Sequence, residues 1–165
     1  MIAQVSELQP LQAISRIGVV IPVYGESDSI CWVLRQFRKG MVSTICLVVD
    51  APSRAVMDKV REAARQTGVT VHIIKNQSRT GIGSSLRQGL TYLLRTGHDI
   101  AVVMAGNGKD DPAEMRRVVE PVVRDDCDYV QGSRYLPGGK KSRMPFVRVV
   151  FNRVYPLIWS LLVQK

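Results

Sequence analysis

Cysteine, histidine and aromatic side chains are all scarce in this chain, and each scarcity closes off a class of function. The three cysteines, Cys31, Cys46 and Cys127, are odd in number, far apart and outside any C-x-x-C pattern, which argues against a disulfide framework or a thiolate zinc site. A reducing, cytosolic setting is the expectation. His72 falls in an apolar strand pattern and His98 in a Gly-His-Asp turn, neither with a second ligand at i+3 or i+4, so both read as structural. Acidic residues are missing altogether after Asp128, whereas Arg134, Lys140, Lys141, Arg143, Arg148, Arg153 and Lys165 follow it and supply much of the net charge of +9. That basic tail offers no recognition helix and no aromatic single-strand platform, which sets nucleic acid aside as a partner. An uninterrupted apolar run long enough for a membrane span is also lacking. Pro145 to Val163 is rich in Phe, Val, Leu, Ile and Trp but broken by Arg148, Asn152, Arg153 and Pro156, which predicts an amphipathic segment at an anionic membrane surface, with a core helix covering the sheet as the alternative. Residues 1–15 lack the basic start and apolar run of a secretory signal and read as a short arm.

What is present is a regular alternation of apolar runs and amphipathic stretches. With 165 residues and 45% hydrophobic content, one domain with a real core is expected. Ile17 to Pro22 reads as a buried first strand. Ser27 or Asp28 caps a helix carrying Ile30, Val33, Leu34 and Phe37 at helical spacing, stopped by Gly40. Strands at Ile45 to Val49, Val69 to Ile74 and from Ile100 alternate with helices at Arg54 to Gln66, Ser84 to Thr96 and Pro112 to Val123, and a last strand is predicted at Tyr129 to Gly132. This order predicts a three-layer α/β/α, Rossmann-like fold with a mostly parallel sheet and helices on both faces.

In such a sheet ligands bind beyond the carboxyl ends of the strands. The stretch Ile100 to Pro112 is the focus: an apolar strand that ends in Gly106, Asn107, Gly108, Lys109, Asp110 and Asp111 before Pro112 opens a helix. The two glycines let backbone approach a ligand, and Asn107, Asp110 and Asp111 offer oxygen acceptors for a hard cation or sugar hydroxyls. Nucleotide motifs of the common kinds fail. The first strand-to-helix turn, Tyr24-Gly-Glu-Ser-Asp-Ser, has no G-x-G-x-x-G, Gly81-Ile-Gly83 is followed at the third position by Leu86, and Gly138-Gly-Lys-Lys-Ser142 lacks the earlier glycine of a phosphate loop, Arg134 standing in its place.

The strand ends nevertheless carry a specific set of short pieces: Pro22-Val-Tyr24-Gly-Glu26, Val48-Val-Asp50, Arg79-Thr-Gly81-Ile-Gly83, Met104-Ala-Gly-Asn107-Gly-Lys-Asp110-Asp-Pro112 and Gly132-Ser-Arg134-Tyr135. In this order the chain resembles the inverting family-2 glycosyltransferases, most closely the dolichyl-phosphate mannosyltransferase-like branch, from about Ile17 to Asn152. The resemblance implies a glycosyltransferase A-type fold, with residues 16–136 binding a nucleotide-sugar and residues 137–165 a basic amphipathic segment. It implies an inverting transfer of a sugar from a GDP- or UDP-sugar to an acceptor such as a polyprenyl phosphate, at the cytoplasmic face of a membrane. Pro22, Tyr24, Glu26, Val49 and Asp50 inherit the nucleoside role by position, with Arg79 and Asn107 at the same donor site. Tyrosine offers a base-stacking face and a carboxylate accepts hydrogen bonds from base or ribose. Arg134 would face phosphate. Arg134 and Arg148 are the cations expected to stabilise the departing diphosphate, with Lys109 behind them and Asp110 beside the reacting centre.

The chain also departs from the family pattern. The Asp-x-Asp that would hold Mg²⁺ or Mn²⁺ reads Ala105-Gly106-Asn107, which leaves Asn107 and Asp110 as the metal ligands to be tested, and the second acid after the second strand is Ala51. Family members continue well past Asn152, so either a truncated form or dependence on a partner is expected. Loss of both acids supports an alternative function: a transferase fold that binds nucleotide-sugar, a membrane or a protein without turnover.

Overall fold

The computed structural model describes residues 16–25, 27–133 and 146–163. They fall into two compact units that divide after Val130. In the first, β1 (Ile17–Val23), β2 (Thr44–Asp50), β3 (Thr70–Asn76) and β4 (Ile100–Val103) form one sheet of order β3-β2-β1-β4, every described pairing parallel. The helices between them are α1 (Ser27–Gln36), α2 (Arg54–Gln66) and α3 (Ile82–Arg95), and a 3₁₀ turn at Pro112–Glu114 leads into α4 (Met115–Val123).

Side-chain alternation along β1 and β2 divides the core between the two faces. Val19, Ile21, Val23, Ile45, Leu47 and Val49 pack with Ile30, Val33, Leu34 and Phe37 of α1, Met57, Val60 and Ala63 of α2, and Met115 and Val119 of α4. On the other face Val20, Cys46 and Val48 meet Leu93 of α3, with Leu86 and Tyr92 beside them. Helices thus cover both faces, as the alternation predicts. The approach of α3 is close enough to require glycine on both sides. A Cβ on Gly89 would lie 2.4 Å from Val20 Cγ1, and one on Gly18 would lie 2.5 Å from Leu93 Cδ2. Burial also keeps the Cys46 thiol protonated, pushing its pKa up to about 11.

Pro22 sits inside the central strand β1, where a proline normally costs a ladder bond. Backbone groups alternate sides along a parallel strand, and Val20 C=O accepts from Met104 N–H at 3.1 Å, on the β4 side. Pro22, two residues on, faces that same side beyond the last β1–β4 pair, Val20 with Val103. Its missing N–H therefore breaks no bond, and β4 is free to leave the sheet there.

Two expectations are corrected. Ser27 is already helical and Asp28 lies in the first turn of α1, its carboxylate paired with Lys59 at 2.9 Å, instead of either standing before the helix as its cap. The strand expected at Tyr129 to Gly132 is absent: residues 129–133 are irregular, and Tyr129 is 76% exposed. Only two apolar residues stand between Asp128 and Gln131, too few to bury a strand's face. The second unit's described part contains α5 (Phe146–Leu162), whose Phe151, Tyr155, Leu157, Trp159 and Leu162 are exposed.

Candidate functional site

The carboxyl ends of β2 and β3 and the turn that opens α3 converge on one carboxylate. Asp50, the last residue of β2, is 4% exposed. Its Oδ1 accepts from Asn76 Nδ2 at 2.7 Å, from Thr80 Oγ1 at 2.9 Å and from Ser85 Oγ at 3.2 Å. Its Oδ2 accepts from the backbone N–H groups of Thr80 and Gly81 at 2.9 and 3.0 Å. Gly81 precedes α3 with φ +82°, a conformation that favours glycine, and has no side chain to cap the helix; Asp50 instead fixes the two backbone N–H groups just before the helix, those of Thr80 and Gly81. Burial pushes the Asp50 carboxyl upward more than any other single influence. The bonds from Asn76, Thr80 and Gly81 outweigh it and hold the carboxyl below its ordinary value. Ala51 follows at φ +43° and donates its N–H to Asn76 C=O at 3.0 Å, which locks the end of β2 to β3.

Tyr24, just past β1, is half-exposed, and the Arg79 guanidinium lies 4.2 Å from its ring centroid. The structure thus brings Tyr24 to Arg79, and Asp50 to the turn that carries Arg79. Pro22 and Val49 belong to the strands beneath, the Val49 side chain fully within the core. Glu26 and Arg134 lie outside the described residues. Arg148 falls within α5, and its side chain is likewise outside the description.

At the end of β4 the loop closes on itself. Asp110 Oδ2 accepts the Ala105 N–H at 2.8 Å, Asn107 Oδ1 accepts the Lys109 N–H at 3.1 Å, and Asp111 Oδ1 caps the 3₁₀ turn through the Ala113 N–H at 2.9 Å. Gly108 takes φ +74° against Trp32 of α1, whose ring carbons would lie 3.4 Å from a Cβ there. Lys109 is exposed. Among the described residues no three His, Cys, Asp or Glu side chains gather as a metal would need. One carboxylate and one neutral amide, each with an oxygen engaged in its own loop, do not fit a resident divalent cation, which takes six or more oxygens with several charges among them.

Sequence reasoning missed Asn76, Thr80 and Ser85 as partners of Asp50, and Trp32 as the support of Gly108. Thr80 lay inside a recognised motif without an assigned role. The rest carried no signal, because their partners are tens of residues away. His72 and His98 are structural: His72 stacks on Tyr92 with centroids 3.9 Å apart, and His98 Nδ1 lies 3.0 Å from Thr96 Oγ1.

Residues 18–162 match the family model Glycosyl transferase family 2. Among curated proteins, the chain is 30% identical over 139 residues to polyprenol monophosphomannose synthase of Mycolicibacterium smegmatis, covering 82% of this chain and 51% of that protein. It is 29% identical over 146 residues to undecaprenyl-phosphate mannosyltransferase of Micrococcus luteus, covering 87% and 59%. The chain thus spans between half and three-fifths of these relatives' length. Among solved structures, glucosyl-3-phosphoglycerate synthase of Mycobacterium tuberculosis, in its complex with Mg²⁺ and uridine diphosphate, superposes with a TM-score of 0.52 at 19% identity, covering 68% of this chain and 41% of that one. That likeness is one of fold, a glycosyltransferase A-type α/β architecture. The strand-end motifs, the parallel sheet that presents them and a family match over nearly the whole described chain agree: this chain belongs to glycosyl transferase family 2, in its dolichyl-phosphate mannosyltransferase-like branch.

Proposed function

We propose that this chain binds a nucleotide-sugar at the carboxyl edge of its sheet and serves the inverting transfer of the sugar to a polyprenyl phosphate. The observation that carries the reading is the built turn at Arg79 to Gly81, held by the buried Asp50 carboxylate and placing a cation beside the half-exposed ring of Tyr24. Tyr24 supplies a stacking face for the base, with Pro22 and the Val49 backbone forming the floor and Glu26 a further acceptor. Asp50 acts from beneath by fixing the turn. The relatives' names, polyprenol monophosphomannose synthase and undecaprenyl-phosphate mannosyltransferase, support a polyprenyl phosphate as acceptor, and the family resemblance of the strand-end motifs supports a GDP- or UDP-sugar as donor.

A phosphate acceptor is already ionised and needs no strong general base. The chemical demand falls on neutralising the departing diphosphate. Arg79, Arg134 and Arg148 are the cations proposed for it, arginine's planar fork matching phosphate oxygens, with Lys109 behind them. Asp110 orients donor hydroxyls beside the reacting carbon. Any Mg²⁺ or Mn²⁺ would enter with the donor's diphosphate and find Asn107 and Asp110 as its protein oxygens. No helix among the described residues is long and apolar enough to cross a membrane. The exposed apolar side chains of α5 and the basic residues around it support peripheral contact with an anionic bilayer on the cytoplasmic side.

The replacement of the Asp-x-Asp acids by Ala105 and Asn107 favours a second reading, binding without turnover. Thermal unfolding of the chain with GDP- and UDP-sugars, followed by transfer assays with a short polyprenyl phosphate, tests both. A ligand at 100 times its dissociation constant adds about 2.7 kcal/mol of stability. Stabilisation with transfer supports the first reading, stabilisation without transfer the second, and no stabilisation by any nucleotide-sugar defeats the first and leaves of the second only a membrane or protein partner.

A further inference from the structure

We propose that Arg79 is a placeholder in the donor site: its guanidinium occupies the face of Tyr24 that the nucleobase takes, and binding exchanges the two, the base moving onto the ring as Arg79 moves onto the diphosphate. The inference rests on the nucleotide-sugar reading and deepens it. Arg79 reaches Tyr24 from the turn between β3 and α3, and the next residue of that turn, Thr80, donates its N–H to Asp50, so the covered ring face is served by the turn that Asp50 holds. Stacked rings in this chain, His72 on Tyr92, sit 3.9 Å apart centre to centre. A base between ring and guanidinium would need roughly twice that, and the 4.2 Å separation leaves no room for it.

The geometry also says which part moves. The backbone after Arg79 is fixed, because Thr80 and Gly81 both donate their N–H groups to Asp50 and Gly81 opens α3. The Arg79 side chain is exposed and makes no ion pair among the described residues. Its stack on a half-exposed ring is a weak attachment. A diphosphate offers the same guanidinium two charge-assisted hydrogen bonds, a stronger attachment. Arg79 therefore opposes a nucleoside and assists a nucleoside diphosphate, which makes the site selective for the phosphorylated form.

The test is ligand-observed NMR titration of uridine, guanosine, UDP and GDP against the whole chain, as wild type, Arg79→Ala and Arg79→Gln, with circular dichroism to verify folding. Both variants are expected to bind nucleosides about two- to fivefold more tightly, since a weak competitor is gone. They are expected to bind the diphosphates about tenfold or more weakly, since the charge-assisted bonds are gone. If the wild type binds UDP or GDP and the variants bind nucleosides equally well or less well, the exchange is wrong while the nucleotide reading stands. Unchanged diphosphate affinity likewise overturns it. If the wild type binds none of the four, the exchange and the reading on which it rests both fall.

Discussion

The ends of β2 and β4 lie at the same edge of one sheet and handle charge in opposite ways. At β2, Asp50 is buried and accepts from five donor groups on four residues, and the turn at Arg79 to Gly81 is built around it. At β4, the positions where the family resemblance leads one to expect acids hold Ala105 and Asn107, and the inner carboxylate, Asp110, is drawn back to the Ala105 N–H. The contrast teaches that the two functions of the edge are separable. A carboxylate that shapes a turn is part of the fold, and losing it costs stability. A carboxylate that waits for a cation repels its neighbours until the cation arrives, and the fold survives its replacement by a smaller or neutral residue.

The largest expected effect follows from removing the structural carboxylate. Asp50→Ala strands the Thr80 and Gly81 amides and the Asn76, Thr80 and Ser85 side chains, and is expected to lower unfolding free energy by about 3 kcal/mol in urea titration. A loss below about 1 kcal/mol would mean that the turn does not depend on Asp50. The acid response sharpens the same point. Because the folded carboxyl lies below its ordinary value, it contributes stability above the unfolded value of about 3.9, which is lost as pH falls from there through the lowered folded value. Asp50→Asn is expected to flatten stability against pH across that interval. An unchanged acid limb would place the linkage on other groups.

Restoring the missing charges addresses the other half. Ala105→Asp with Asn107→Asp is expected to raise Mn²⁺ affinity by about tenfold or more, since two carboxylates replace a methyl group and a neutral amide, and to lower stability slightly when metal is absent. Calorimetric titration with Mn²⁺ reads both proteins. Equal affinity would show that this loop cannot present its oxygens to a cation. A smaller effect is expected from Asp111→Ala, which removes the acceptor for Ala113 N–H and is expected to cost about 1 kcal/mol, far less than the Asp50 substitution. Parity between the two would erase the distinction drawn between the strand ends.

How much of this was legible in the sequence depended on how local the cause was. Helix α2 was read with its observed bounds, Arg54 to Gln66, because the residues that start and stop it are neighbours in sequence, Ser53 as its cap and Thr67 at its end. The strands β1 to β4 were legible for the same reason. Tyr129 to Gly132 misled because strand-forming residue types cannot make a strand without a face to bury. The close contact of Gly89 with Val20 was invisible, since nothing near position 89 says that β1 passes within reach. Asp50 was recognised as important, but its partners at positions 76, 80, 81 and 85 become neighbours only through the parallel pairing of β2 with β3 and the return of α3.

The proposed donor site has a complete nucleoside half and an incomplete metal half. Calorimetric titration of the wild-type chain with UDP and GDP, in EDTA and again in saturating Mn²⁺, tests it most directly. The account predicts measurable binding of at least one diphosphate in EDTA, with affinity changed less than about threefold by Mn²⁺, because Asn107 and Asp110 add little to the coordination shell. Binding that is absent in EDTA and becomes tight with Mn²⁺ would contradict it.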